Sequence, residues 1–333
     1  MARSGSPGKA RPTRPARLPE QLITDLLAAA TAAPSLHNTQ PWRFRVRPQH
    51  QSIELRADPD RALRHSDPSG RAVHIACGAA LFNMRLAAAV AGRQPAVQLL
   101  PDPGQPLLLA TISLGGPHRP QPQESDLHAA IARRHTNRRP FSGRPVPPGV
   151  LAELTEAARL EGAILHILDH DETVRVLKLA HEAERAQAAD PAYRAELARW
   201  AGGARDKEGI PDSALGPRSP DRPAPVRDFT PGRPVPPSYE WFEENPQFAV
   251  LSMHFGGPVN WLRAGQALQR VLLTATDRGI AVSPLTLPLE TPDAWLVRDP
   301  RSGSEQPQMI LRMGYGLPVQ PAPRRPIAEV LDD

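Results

Sequence analysis

Two short polar stretches, far apart in the chain, hold most of the side chains able to do chemistry. The first, "APSLHNTQPWRF", sets Ser35, His37, Asn38, Thr39, Gln40 and Trp42 directly behind a helix-ending proline. Hydroxyl, imidazole and amide groups at this density suit the edge of a planar heterocycle bearing carbonyls and ring nitrogens. A turn capped by its own side chains explains the same residues equally well. The second, "RRHTNRRPF", brings Arg134, Thr136, Asn137, Arg138 and Arg139 together, and Arg324 and Arg325 follow far downstream. Guanidiniums clustered with a hydroxyl suit a phosphate, which they grip in bidentate fashion. A solvated basic run is the competing account.

Other chemistries lack their residues. No G-x-G-x-x-G follows a strand, and G-x-x-x-x-G-K-[ST], G-x-S-x-G and H-E-x-x-H are all missing. The 11 histidines are scattered, and a single cysteine, Cys77, leaves no internal disulfide and no cysteine-based zinc site; no metal is expected. Of the 40 basic residues, Arg3, Lys9, Arg11, Arg14 and Arg17 precede the first acidic one, Glu20. Without these five the chain has 35 basic against 35 acidic residues. The excess is therefore a property of a disordered basic tail, 1–17, and nucleic acid is not an expected partner. The most apolar stretch, Val73 to Ala91, is interrupted by His74, Asn83 and Arg85. Neither a membrane span nor a secretory leader is expected, and the chain reads as cytoplasmic.

The elements that must position the two clusters follow from periodicity. Pro19 opens an amphipathic helix that Pro34 ends. Trp42 to Val46 and Ile53 to Ala57 read as strands, Gly70 to Ala91 as a core helix stopped by Gly92, and Ala96 to Leu100 and Leu107 to Leu114 as strands. A second unit begins near Ser125: helices at Ser125–Arg134 and Pro148–Leu160, a strand at Ala163–Leu168, and one long helix from Glu172 to Trp200. Residues 202–238 carry nine prolines and no periodicity; they form either a lid over a site or a disordered insertion. Phe248 to Phe255, the helix Trp261–Gly279 and the strand Pro307–Gly316 complete the chain. The scheme of helix, strands, helix, strands occurs twice, implying two α+β halves at 18–120 and 121–330.

The two clusters together resemble known motifs. "APSLHNTQPWRF" resembles the A-P-S-x-x-N-x-Q-P-W-x-F signature of nitroreductase-fold FMN flavoproteins, and "RHTNR" followed by "PF" resembles their R-x-S-x-[RK] motif with Thr136 for serine. "GQALQRVLLTATDRGIAVSPL" and "PQMILRMGYG…PRRPIAEVL" are similar to the family's flavin-side helix and turn and to its closing strand and tail. The order departs from the ordinary pattern: here the polar turn precedes the arginine motif by nearly a hundred residues. Since ordinary members bind FMN between two subunits, the resemblance implies a dimer fused into one α+β chain, each half a mixed sheet packed with helices. This is the arrangement of the Acg-like branch.

The resemblance also assigns roles. Arg134, Thr136 and Arg324 match phosphate-side positions, Ala322 standing where a lysine is usual. Arg138 matches the cation near the pyrimidine edge, Ser35 and Asn38 match the contacts from the partner half, and Gln40 and Trp42 shape the turn. Ser283, Pro284, Leu285, Thr286 and Leu287 match the turn beside flavin N5. His37 and Asn137 join the binding set from within the same motifs. No protein residue is expected to act as catalyst, because the flavin carries the chemistry. The implied activity is hydride transfer from NADPH or NADH to a nitroaromatic or quinone acceptor; a flavin-storage protein with a lidded site is the alternative. One such chain would be a monomer, a pseudo-dimer in itself.

Overall fold

The computed structural model describes residues 18–220, 224–229, 238–290, 297 and 305–332; the expectation for the basic tail lies outside them. Helix α1 (Glu20–Thr31) buries Leu26, Leu27 and Ala30, and Pro34 prevents a further turn. Residues 32–41 lead into β1 (Trp42–Arg47), and a tight turn at 48–51 into β2 (Ser52–Ala57). Then come α2 (Arg71–Val90), β3 (Arg93–Leu99), β4 (Leu108–Pro117) and α3 (Pro122–Ile131). The second series is α4 (Pro148–Leu160), β5 (Ile164–Ile167), α5 (His170–Ala189), α6 (Pro191–Trp200), β6 (Gln247–Met253), α7 (Pro258–Asp277), β7 (Ala281–Leu285) and β8 (Gln306–Gly314). A short α8 (Ile327–Val330) and β9 (Leu331–Asp332) end it.

Two expectations change. The single helix from Glu172 to Trp200 is two helices, because Pro191 has no N–H to continue α5 and Asp190 caps the new start by accepting the Ala192 N–H at 2.9 Å. Ser283 to Leu285 lie within β7 rather than in a turn, and the chain leaves the sheet only at Thr286.

The two sheets share one plan. The first runs β3-β4-β2-β1-β9 and the second β5-β6-β8-β7, so four strands of each follow the same order, third-fourth-second-first. Those strands pair antiparallel throughout, and α2 and α7 occupy the same place, between second and third strand. Parallel pairing comes from additions at the edges: β9 beside β1, and Thr136 bridged to Val282 of β7. Where the first series has only the turn at 48–51, the second inserts α5, α6 and 201–246.

The halves join through α2 and α7, whose backbones touch. A methyl group at Gly78 would lie 2.1 Å from the Leu262 carbonyl oxygen, and one at Gly265 would lie 2.1 Å from that of Ile75. Only glycine permits this crossing. Asn83 Nδ2 donates to the Ala29 carbonyl and Asn83 Oδ1 accepts from Gln269 Nε2, both at 2.8 Å, giving the buried amide partners on α1 and α7. By length and composition α2 could cross a membrane, but most of its side chains are buried in this core.

Candidate functional site

The polar turn after α1 is strained and heavily bonded. His37, Asn38 and Gln40 have φ of 51°, 55° and 52°. Left-handed backbone at a non-glycine residue costs on the order of 1–3 kcal/mol and persists only where surrounding contacts enforce it. Those contacts are present. Ser35 Oγ accepts the Gln40 N–H at 2.9 Å, and Thr39 Oγ1 donates to the Leu36 carbonyl at 3.0 Å. Asn38 Nδ2 donates to the carbonyls of Gly209 and Pro323, both at 2.9 Å. Gln40 Nε2 donates to the Lys207 carbonyl at 2.7 Å while its Oε1 accepts the Arg325 N–H at 2.8 Å. Self-capping thus accounts for Ser35 and Thr39, Gln40 ties the turn to Lys207 and Arg325, and Trp42 is wholly buried at the start of β1. His37 is different: it is buried, and neither ring nitrogen has a partner. Burial first, then Arg227 and Arg138, hold its pKa well below 6.5, so the imidazole is neutral.

The arginine motif is laid along the free edge of β7, the Asn137 N–H donating to the Val282 carbonyl at 3.0 Å. This placement sorts its side chains. Asn137 Nδ2 turns to the Leu317 carbonyl at 2.8 Å, away from the turn after α1. Arg139 is exposed and paired with Glu240 at 2.8 Å, and Arg325 faces Asp58 at 3.6 Å. Arg134, Arg138 and Arg324 converge instead on the turn. Arg134 Nη2 donates to the Ala32 carbonyl at 3.3 Å, and its Nε has no partner. Arg324 donates to the carbonyls of Thr31, Ala32 and Ala33 and to Asn38 Oδ1 at 2.9–3.2 Å. Arg138 Nη1 donates to the Ala214 carbonyl at 2.9 Å, with its guanidinium 4.8 Å from the Phe229 ring centroid.

Among the described residues, none of these three cations has a carboxylate within ion-pair distance. Burial pushes the Arg134 guanidinium down to about 9, with Arg324 adding to the shift, and Arg138 and Arg324 down to about 10. The carbonyls at the end of α1 offset part of the charge, but a helix terminus carries only about half an elementary charge. Two whole charges meet it, and Arg138 is a third.

These groups line one continuous cleft. Its larger part, about 780 Å³ out to its open mouth, is an apolar slot walled by Ala72, Ile75 and Ala76 of α2, Leu268 of α7, Met309 of β8 and the run Ser283–Thr286. Its smaller part, about 480 Å³, holds Asn38, Arg134, His135 and Arg324. Pro34, Ser35, Thr136 and Arg138 border both. The cleft therefore brings together Ser35, His37, Asn38, Arg134, Thr136, Arg138, Ser283, Pro284, Leu285, Thr286 and Arg324. It leaves Gln40 and Asn137 behind its wall, and Leu287 in the core beside Phe248. Sequence reasoning missed Arg227 and Phe229, which reach the slot from the Pro-rich insertion. Their one signal was an aromatic residue next to charge in a segment without periodicity.

An apolar slot that ends in partly and fully buried cations has the shape and charge to suit one long ligand, flat at one end and anionic at the other. The chain belongs to the nitroreductase family, whose model matches residues 131–315. It is 36% identical over 320 residues to a candidate NAD(P)H nitroreductase of Mycobacterium tuberculosis (strain H37Rv), covering 94% of this chain and 91% of that protein. A second candidate NAD(P)H nitroreductase of that strain, named acg, is 32% identical over 329 residues, covering 94% and 97%. Among solved structures, a candidate nitroreductase from Anabaena variabilis shares the fold, with a TM-score of 0.51 and 12% identity over 89% of this chain and 88% of that one.

Proposed function

We propose that this chain binds one FMN and works as an NAD(P)H-dependent reductase of nitroaromatic or quinone acceptors. The observation that carries this reading is a set of three guanidiniums, Arg134 buried and Arg138 and Arg324 half-buried, without carboxylate partners at the end of an apolar slot. Uncompensated buried charge is costly unless a ligand supplies the counter-charge, and a phosphate monoester supplies about two negative charges. Arg134, Arg324 and the Thr136 hydroxyl would hold the phosphate, and the slot would take the ring. Bound FMN would supply two-electron chemistry, accepting hydride and passing it on. Arg138, on the border between the two parts, would place a positive charge beside the bound ring. The apolar walls of α2, α7 and β8 would keep water from the bound ring.

The repeated strand order supports a second statement within the same reading, that the chain is two family-like halves fused, at 18–120 and 121–330, with one site. The connection from α1 to β1 spans 32–41 and carries the polar turn; the corresponding connection from α4 to β5 is only 161–163. The arginine motif stands before α4, in the other half. Each half supplies one jaw of the cleft, which supports a chain that works as a monomer.

The test is spectroscopic. Protein purified with its flavin is mixed anaerobically with NADPH, and the oxidised-flavin absorbance is followed. Bleaching within seconds is expected, and a nitroaromatic added afterwards restores the absorbance. A colourless protein that takes up no FMN would overturn the reading. One observation favours the storage alternative: Phe229 of the insertion stands between Arg138 and His37, at 4.8 and 5.9 Å, and lines the slot. Flavin that binds yet is not bleached by NADPH would decide for storage.

A further inference from the structure

One charged side chain on the slot is used by neither end of the cleft. Arg227 is buried on the 224–229 stretch and lines the slot wall. Its Nη2 donates to Gln187 Oε1 at 3.1 Å, and its guanidinium lies 5.3 Å from the Tyr193 ring centroid and 5.5 Å from that of Phe229. Glu184 and Glu290 favour its charged form from a distance, yet burial outweighs them. Among the described residues no carboxylate is within ion-pair distance of it. Near it on the same slot stands His37, buried, neutral and with both ring nitrogens unpartnered. A neutral imidazole offers one donor and one acceptor, and no described residue takes either.

The FMN reading uses Arg134 and Arg324 at the phosphate and Arg138 at the ring, and leaves Arg227 and His37 over. What would satisfy both is a second flat apolar body that shares the slot with the ring and carries an anionic oxygen pair, the oxygens accepting from the guanidinium and from the imidazole N–H. We infer that the slot selects, as its second ligand, an aromatic carboxylate, with Arg227 as the specificity-determining residue and His37 as the neutral donor beside it. This inference rests on the FMN reading of the same cleft and deepens it by naming the class of acceptor.

The experiment is a calorimetric titration of the flavin-loaded protein with benzoate and, separately, with benzamide, its neutral isostere. Benzoate is expected to bind at least about tenfold more tightly, as a charge-assisted contact requires. Arg227→Gln is expected to erase that preference while leaving benzamide binding within about twofold, and Arg227→Lys to retain part of it because the charge survives without the planar fork. Equal binding of the two ligands by the wild-type protein overturns the inference, with no reliance on any variant folding. An undiminished preference in Arg227→Gln also overturns the role of Arg227. Flavin absorbance of the same samples separates the two levels: a chain that holds FMN but shows no benzoate preference overturns the acceptor class alone, and a chain that takes up no FMN overturns both.

Discussion

At the scale of single residues, the cleft is built from groups the protein itself leaves incomplete. Arg134 shows this best, with an Nε that has no partner and a full charge facing only carbonyls. Replacing it with Gln removes one charge-assisted contact, worth about 1.5–3 kcal/mol. FMN binding is therefore expected to weaken by roughly ten- to a hundredfold, as fluorescence titration measures, while binding of riboflavin, which lacks the phosphate, stays the same. Weakening of both ligands alike would show that Arg134 supports the fold instead. His37 gives a pH prediction. Its folded pKa lies below 6.5, so above that value folded and unfolded states are both neutral and stability is fully present. As pH falls below 6.5 the unfolded chain takes up a proton that the folded one refuses, and stability is lost at no more than about 1.4 kcal/mol per pH unit. His128, His135 and His181 are depressed in the same direction by burial, so the contribution of His37 is the difference from a His37→Asn variant. Asn tolerates the left-handed backbone there. Urea midpoints of that variant between pH 7.5 and 5.5 are expected to fall less than those of the wild type; an identical fall would contradict a neutral buried His37.

At the scale of elements, the crossing of α2 and α7 fixes where the two jaws meet. A methyl group at Gly78 must displace backbone rather than a flexible side chain. Gly78→Ala is thus expected to cost about 1–3 kcal/mol, read as a lower urea midpoint, and an unchanged midpoint would mean the helices can separate freely. Gly216, at φ +85°, abuts Arg138, where a Cβ would lie 2.9 Å from the Arg138 carbonyl oxygen. Gly216→Ala is expected to lift the 211–220 turn from the cleft, and faster cleavage there in limited proteolysis is the check. Much at this scale was legible in the sequence. The helices α1, α2, α4 and α7 and the strands β1, β2, β6 and β8 follow directly from apolar spacing. The break at Asp190–Pro191 was readable too, since Pro191 sits inside an otherwise helical pattern, but the strong periodicity on either side masked it. What periodicity could not show was pairing: that β9 lies beside β1, or that Arg227 and Phe229 fold back on the slot. Both depend on contacts between residues far apart in the chain, which no local pattern encodes.

At the scale of the whole molecule, one repeated plan produces one asymmetric cleft. The sheets share a strand order, and the site draws Ser35 and His37 from one half and Arg134, Thr136 and Arg138 from the other. The residue types at both jaws were legible as motifs. Their division of labour was not, because side chains such as Asn137, Gln40 and Arg325 satisfy the composition of a binding motif while bonding to the protein's own backbone. The central claim is that a single site per chain holds a phosphate by arginines that have no carboxylate partner. The most direct measurement is an equilibrium titration of flavin-free protein with FMN and, in parallel, with riboflavin. The predicted result is one FMN per chain, bound at least about a hundredfold more tightly than riboflavin. Two FMN per chain, or equal affinity for the two flavins, would contradict the account.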